Sequence, residues 1–248
     1  MITIAGDRMD LNKLSHNYKN NSLEKYILDI LSSSSHIYNY NSEKELKFEL
    51  NLRKNIVNAS ISLYRSDFGF SIFRKSRCNT DYWKRTRQGG FLLKEGAKPS
   101  SAIDDIFTNG DEYATECATA MVIVYYKACL DSLGSKIFNN TFPKIYLMNW
   151  HNVDKNLGLT TVENAADNIP GDCRYFQNPD VNPLTPEWQG ENVIYLGDDM
   201  YYGHGVGIKN SDEIITTLNR TRIAGSSRSA HLLPSATRPD FEKLSQLK

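Results

Sequence analysis

The order of patterns along the chain predicts an α+β fold in a single domain. Helical periodicities fill the first third, a long apolar run headed by a cysteine stands in the middle, and strand-like stretches dominate after residue 190. No glycine-rich phosphate cradle of the kind that opens a wound parallel sheet interrupts that order. The 248 residues, 40% of them hydrophobic, are enough to bury one full core.

Each element has a local reason. Leu23, Tyr26, Ile27, Ile30 and Leu31 recur at helical spacing, so an amphipathic helix lies inside the Asn- and Ser-rich N-terminal stretch, and S-S-S-S at 32 to 35 ends it. Ser42 with Glu45 forms a capping-box pattern for a long helix from 43 to about 65, with Ile56, Ala59, Leu63 and Tyr64 on one side. G-F-S-I-F and D-Y-W-K-R-T-R-Q-G-G-F-L-L-K predict short strands, the second a hairpin turning at Gly89 and Gly90. Ser101 with Asp104 caps a short helix ending near Gly110. Residues 118 to 130 are apolar almost all round, which predicts a central buried helix with Cys117 in its first turn. K-I-Y-L-M-N-W at 144 to 150 reads as a strand. The polar segment after it, with prolines at 170, 179, 183 and 186, is too long for an ordinary connection, so it is either disordered or a functional wall. G-E-N-V-I-Y-L-G-D-D-M-Y-Y-G-H-G-V-G-I then predicts two strands around a G-D-D turn.

Charge and composition exclude several functions. The 29 basic and 29 acidic residues cancel, which argues against a protein that tracks nucleic acid. No secretory leader pattern and no apolar run of membrane-spanning length are expected, so the reading is of a chain kept inside the cell and off the membrane. Cys78, Cys117, Cys129 and Cys173 lie far apart with no zinc-ligand spacing, which predicts neither a structural metal nor a disulfide framework. The basic cluster Lys84, Arg85, Arg87 and Lys94 reads as a solvated hairpin face or, alternatively, as a patch that steers acidic proteins.

Cys117 is the first candidate for chemistry. A thiol at a helix start meets unpaired N–H groups and the positive dipole end, which favour its anion and can lower its pKa below about 8.5. Packing alone is the competing explanation, Cys129 is core by position, and Cys173 in G-D-C-R-Y-F is the rival nucleophile. A nucleophilic thiol needs a base, and the hairpin offers Glu191 and His204. If Asp198 and Asp199 form its tip, Glu191 faces Val206 and His204 faces Val193, so that the two candidates are diagonal neighbours. A one-residue change in the loop would separate them. By reference values, proton transfer from a thiol to glutamate is uphill by roughly 5 to 6 kcal/mol, and to histidine by about 3 kcal/mol. Histidine is the easier base on that count, and Glu116, directly beside the cysteine, makes ionising the thiol harder.

Several longer motifs carry a resemblance: F-E-L-N-L-R-K-N-I-V at 48 to 57, E-C-A-T-A at 116 to 120, G-D-C-R-Y-F at 171 to 176, W-Q-G-E-N-V-I at 188 to 194, H-G-V-G-I at 204 to 208 and S-A-T-R at 235 to 238. In that order they resemble the protein-glutamine gamma-glutamyltransferases of spore-forming Bacillus-type bacteria. The resemblance implies a papain-like α+β fold with a catalytic cysteine at the N-terminus of a central helix packed on an antiparallel sheet. It also implies a calcium-independent enzyme, without cofactor, that joins glutamine to lysine side chains of spore-coat proteins and moves from the mother-cell cytoplasm to the coat. Carried over residue by residue, Cys117 is the nucleophile, Glu191 its acid/base partner and Glu116 a second carboxylate that partly substitutes. His204 stands beside the site, and Trp150 and Trp188 line the substrate passage. Residues 1 to about 40 match poorly and are read as a variable, helical extension. A cysteine amidase or peptidase and a non-catalytic coat component remain the alternatives.

Overall fold

A computed structural model describes residues 1–9, 14–150 and 152–248. The N-terminal segment is more than a helix. Strands β1 (Ile2–Ile4), β2 (Asp7–Arg8) and β3 (Tyr38–Tyr40) form a small sheet with β1 in the middle, and helix α1 (Leu23–Ser33) lies between β2 and β3 in the chain. Ile27, Leu28 and Leu31 of α1 are buried with Ile2 and Tyr40 against Leu46 and Leu50 of the following helix. This segment therefore shares a core with the rest of the molecule.

Helix α2 (Glu43–Tyr64) starts where the sequence places it, because the Ser42 hydroxyl accepts from Glu45 N–H. The reciprocal bond differs by one residue: the Glu45 carboxylate accepts from the backbone of Asn41. Ile56, Ala59 and Leu63 are buried as expected, whereas Tyr64 is 53% exposed. Strand β4 (Gly69–Phe70) is shorter than G-F-S-I-F predicts, and Phe73–Lys75 turns instead into a 3-10 segment. The hairpin β5 (Trp83–Arg85) and β6 (Phe91–Leu93) is antiparallel as predicted, and β8 (Tyr146–Leu147) extends it. Only those two residues of the 144 to 150 stretch are strand. Lys84, Arg85, Arg87 and Lys94 are all exposed, as a solvated face requires, and the Arg85 guanidinium also donates to the carbonyls of Ser76, Phe73 and Arg74, holding that 3-10 segment in place.

Helix α3 (Pro99–Thr108) begins two residues before Ser101, with Pro99 in its first turn, where a missing N–H costs nothing. Strand β7 (Ala114–Thr115) pairs in parallel with β4 and leads into α4 (Cys117–Leu133), whose residues from Ala118 to Tyr126 are all buried. Each large apolar side chain so removed from water contributes about 1.5 to 3 kcal/mol, which makes α4 the axis of the core. Helix α5 (Ser135–Thr141) follows after a turn at Gly134.

The polar segment forms regular structure among its described residues. It contributes β9 (Thr160–Val162) and β10 (Cys173–Gln177), the latter a central strand unrecognised because the prolines and polar neighbours around it mask its short apolar content. The main sheet runs in the order β13 (Gly207–Asn210), β12 (Met200–Gly203), β11 (Gly190–Gly197), β10, β15 (Ala236–Arg238), β9, with β14 (His231–Leu232) also on β10. Every pairing in it is antiparallel. One face carries Ile194 and Tyr202 into the core of α2 and α4, and the other packs Val193, Tyr195 and Tyr201 on Ile214 and Leu218 of α6 (Ser211–Asn219). The C-terminal helix α7 (Phe241–Ser245) closes on α2.

A buried ion cluster locks the sheet to α2. Arg53, fully buried, bonds Glu49 at 2.7 Å and Asp172 at 2.8 Å, and Asp172 also takes Arg238 at 2.7 Å. Breaking such a pair on one side costs about 3 to 5 kcal/mol, because the remaining charge is left in the core.

Candidate active site

Cys117 is the first residue of α4 and is half-buried. The residue before it explains the acidic neighbour. Glu116 is the N-cap, and its carboxylate accepts from Ala118 N–H at 2.6 Å, from Thr119 N–H at 2.8 Å and from the Thr119 hydroxyl. Orphan donors of the first turn are satisfied by a side chain of the chain itself. The helix end therefore does not ionise the sulfur, contrary to the expectation from position. Burial pushes the Cys117 thiol up to about 12, the charges of Glu191 and then Glu116 add to it, and hydrogen bonds from Asn192 act the other way.

Glu191 comes from the start of β11 and is 2% exposed. Burial pushes its carboxyl up to about 8, against a hydrogen bond from Gly205 N–H at 2.8 Å, with the Glu116 charge adding to the rise. The carboxylate lies on a floor of glycines. A Cβ at Gly203 would stand 3.0 Å from its oxygen, and one at Gly205 would stand 3.1 Å away.

His204 is placed differently from the sequence register. Asp198 and Asp199 do form the tip, both at positive φ, but a bulge at Leu196 shifts the pairs to Val193 with Gly203 and Ile194 with Tyr202. His204 falls beyond the end of β12, in the turn that leads to β13, so three strands stand where two were expected. Its Nε2–H donates to the Gly69 carbonyl at 3.0 Å, which leaves Nδ1 to accept from the Tyr202 hydroxyl at 3.1 Å. Burial lowers its pKa to about 4, and carbonyls of Gly69 and Thr115 counteract this only in part. The order of basicity given by reference values is thus reversed, with Glu191 above His204.

A cavity of about 440 Å³ opens over the sulfur. Phe70, Ile72, Phe73, Tyr175, Asn192 and Trp150 are among the residues that line it. The Thr119 hydroxyl, which donates to Glu116, accepts from Asn149 N–H at 2.9 Å and so ties the loop bearing Trp150 to the helix cap. Trp188 reaches the cavity indirectly, stacked on Phe70 with ring centroids 6.1 Å apart. Pro186, Glu187 and Gln189 of the polar segment also line the cavity. Asn178 anchors that segment by donating from its side-chain amide to the Trp188 carbonyl and from its backbone N–H to the Gln189 carbonyl.

Of the residues named from sequence, Cys117, Glu116 and Trp150 line the cavity; Glu191 is buried behind the lining, where its charge acts on Cys117, and His204 lies outside the lining, on the Gly69 carbonyl. Sequence reasoning missed Asn192, whose Nδ2 donates to Cys117 Sγ at 3.3 Å. Adjacency to Glu191 in G-E-N-V was its only trace. The aromatic lining at Phe70 and Phe73 was read as plain strand. Cys129 and Cys173 are buried with their thiols pushed well up by burial, as inert core sulfurs are. Among the described residues no group of three or more His, Cys, Asp or Glu side chains is placed to hold a metal ion, and no helix is long and apolar enough to cross a membrane.

A half-buried thiol at a helix start, opening on a cavity and coupled to two carboxylates, is the equipment of enzymes that transfer acyl groups through sulfur. A sequence model of the protein-glutamine gamma-glutamyltransferases matches residues 1–248, and the chain belongs to that family of transferases. A protein-glutamine gamma-glutamyltransferase of Bacillus cereus strain B4264 is 46% identical over 237 residues, 93% of this chain and 85% of the relative. That of Bacillus mycoides strain KBAB4 matches to the same extent. A solved transglutaminase of Geobacillus stearothermophilus superposes with a TM-score of 0.80 at 51% identity, over 83% of this chain and 98% of that one.

Proposed function

We propose that the protein cross-links other proteins by forming isopeptide bonds between glutamine and lysine side chains, through a thioester on Cys117. The observation that carries this reading is the pairing of Cys117, open to the cavity, with the buried, electrostatically coupled carboxyl of Glu191. Cys117 Sγ attacks the γ-carboxamide of a protein glutamine, and its proton passes to ionised Glu191. The same proton is then delivered to the departing nitrogen, which leaves as ammonia.

In the second half-reaction a lysine amine attacks the thioester. Lysine is mostly ammonium near neutrality, so a carboxylate must take its proton, and Glu191 does this with Glu116 as a partial substitute. Among the described residues the cavity lining carries Glu116 and Glu187 and no Lys, Arg or His, a charge balance that suits an incoming ammonium. Trp150, with Trp188 behind Phe70, keeps water from the thioester while admitting the apolar lysine stem. His204, with both ring nitrogens engaged, holds the turn that presents Gly205 to Glu191 rather than moving protons.

The substrates in this reading are spore-coat proteins with reactive glutamines and lysines, the enzyme being made in the mother cell, and no calcium is needed. The test is incorporation of a labelled primary amine into a glutamine-bearing protein by the wild type and by Cys117→Ala, Glu191→Ala, Glu116→Ala and His204→Ala. Cys117→Ala is expected to be inactive, and retained incorporation in that variant ends the mechanism. Ammonia release without incorporation would identify an amidase instead.

A further inference from the structure

We propose that the side-chain amide of Asn192 is a catalytic hydrogen-bond donor, holding the oxyanion that forms when Cys117 attacks a glutamine carboxamide. This rests on the reading of Cys117 as the nucleophile. Free first-turn amides of a helix are the natural donors for such an oxyanion, because they have no partner within the helix. In α4 two of them are taken. Ala118 N–H and Thr119 N–H both donate to the Glu116 carboxylate, and a second anion placed there would also meet that carboxylate at contact distance.

Asn192 supplies a donor from the sheet instead. Its Nδ2 contacts Cys117 Sγ at 3.3 Å, and it lines the cavity together with Tyr175, its partner across β10 and β11. Asn192 pairs with Tyr175 on β10, and the next residue, Val193, pairs with Gly203 on β12, so the backbone that carries this amide is held at and beside its position. A neutral amide also adds no charge beside Glu191 and Glu116.

The step balances simply. The Sγ–C bond forms, the carbonyl electron pair moves onto oxygen, and that oxygen takes over the Asn192 N–H from sulfur. It is two bonds from the sulfur, so the donor needs only a small shift to reach it. The thiol proton goes to Glu191, the electron pair returns to the carbonyl, the C–N bond breaks, and the proton leaves with ammonia. Asn192 relaxes back onto the thioester sulfur.

The experiment compares full-length wild type, Asn192→Ala and Asn192→Asp by steady-state amine incorporation, together with the pH profile of iodoacetamide alkylation at Cys117. Both variants are expected to lose about 10²- to 10³-fold in kcat with the KM for the glutamine donor changed by less than about threefold. The alkylation midpoint of Asn192→Ala should rise, since the sulfur loses a donor. A folded variant with kcat within about threefold of wild type overturns the proposal, as does a loss confined to KM. Should Asn192→Ala fail to fold, Asn192→Asp, equal in size and unable to donate once ionised, decides alone: activity near wild type at pH 8 overturns the proposal. Incorporation by Cys117→Ala would refute the parent reading, whereas its loss together with active Asn192 variants refutes this one only.

Discussion

Two carboxylates flank the same sulfur, and the chain treats them in opposite ways. Glu116 sits at the first turn of α4, where its oxygens collect two backbone N–H groups and the Thr119 hydroxyl. Glu191 sits at the mouth of the β11 strand, where Gly205 N–H donates to it and burial raises its pKa to about 8. One acid is solvated by the backbone and holds structure. The other is kept short of solvation, so that near neutrality it exists in both protonation states and is able to give and take a proton. Adjacency to the proposed nucleophile is thus a poor guide to a proton-carrying role, and the supply of N–H donors is a better one.

Glu191→Gln attacks this contrast most directly. It preserves shape but removes the proton carrier, and amine incorporation should fall by about 10²- to 10⁴-fold, the usual worth of a positioned acid/base. A fall no greater than that of Glu116→Gln would mean that the two carboxylates are equivalent. The same variant carries a stability signature. Because the Glu191 pKa is raised from 4.5 to about 8 on folding, the folded state binds the extra proton, and stability present below pH 4.5 is lost as pH rises through 8. Denaturant titrations should therefore show Glu191→Gln gaining on wild type across that window, by up to about 5 kcal/mol at its alkaline end. His204 runs the other way: its pKa falls from 6.5 to about 4, so its contribution is full above pH 6.5 and lost towards pH 4.

The pH dependence of the reaction sharpens the assignment. If ionised Glu191 accepts the thiol proton, kcat/KM for the glutamine donor should rise through a midpoint near 8, and His204→Asn should leave that midpoint in place. A midpoint near 4 would hand the role back to the histidine. A smaller effect is expected of Glu116→Ala. Loss of the cap should cost about 1 kcal/mol in thermal unfolding, yet iodoacetamide should modify Cys117 faster than in wild type, since one charge that opposes its ionisation is gone. The smallest expected effect is none at all: excess chelator should leave amine incorporation unchanged.

Much of this was legible before any coordinates. The periodicity of residues 118 to 130 marked α4 as central, Ser42 marked the start of α2, and the G-D-D turn marked the β11–β12 hairpin, because each of these signals is local and depends on a few neighbouring residues. Where several partners compete for one segment, local signals failed. β10 was lost among prolines, because its identity as a strand depends on β11 and β15 lying on either side of it. The register of His204 was lost to one extra residue at Leu196, which no composition rule flags.

The sequence by itself determined the class of fold, the helix on which the cysteine stands and the set of residues able to do acid and base chemistry. These follow from side-chain type and spacing along one chain. Only the tertiary structure decided which of those groups titrates usefully. The pKa of Glu191, the capping role of Glu116, the engaged nitrogens of His204 and the contact of Asn192 with the sulfur all depend on burial and on donors brought from distant segments. Solvation is a property of the packed neighbourhood, and no stretch of sequence contains its own neighbourhood.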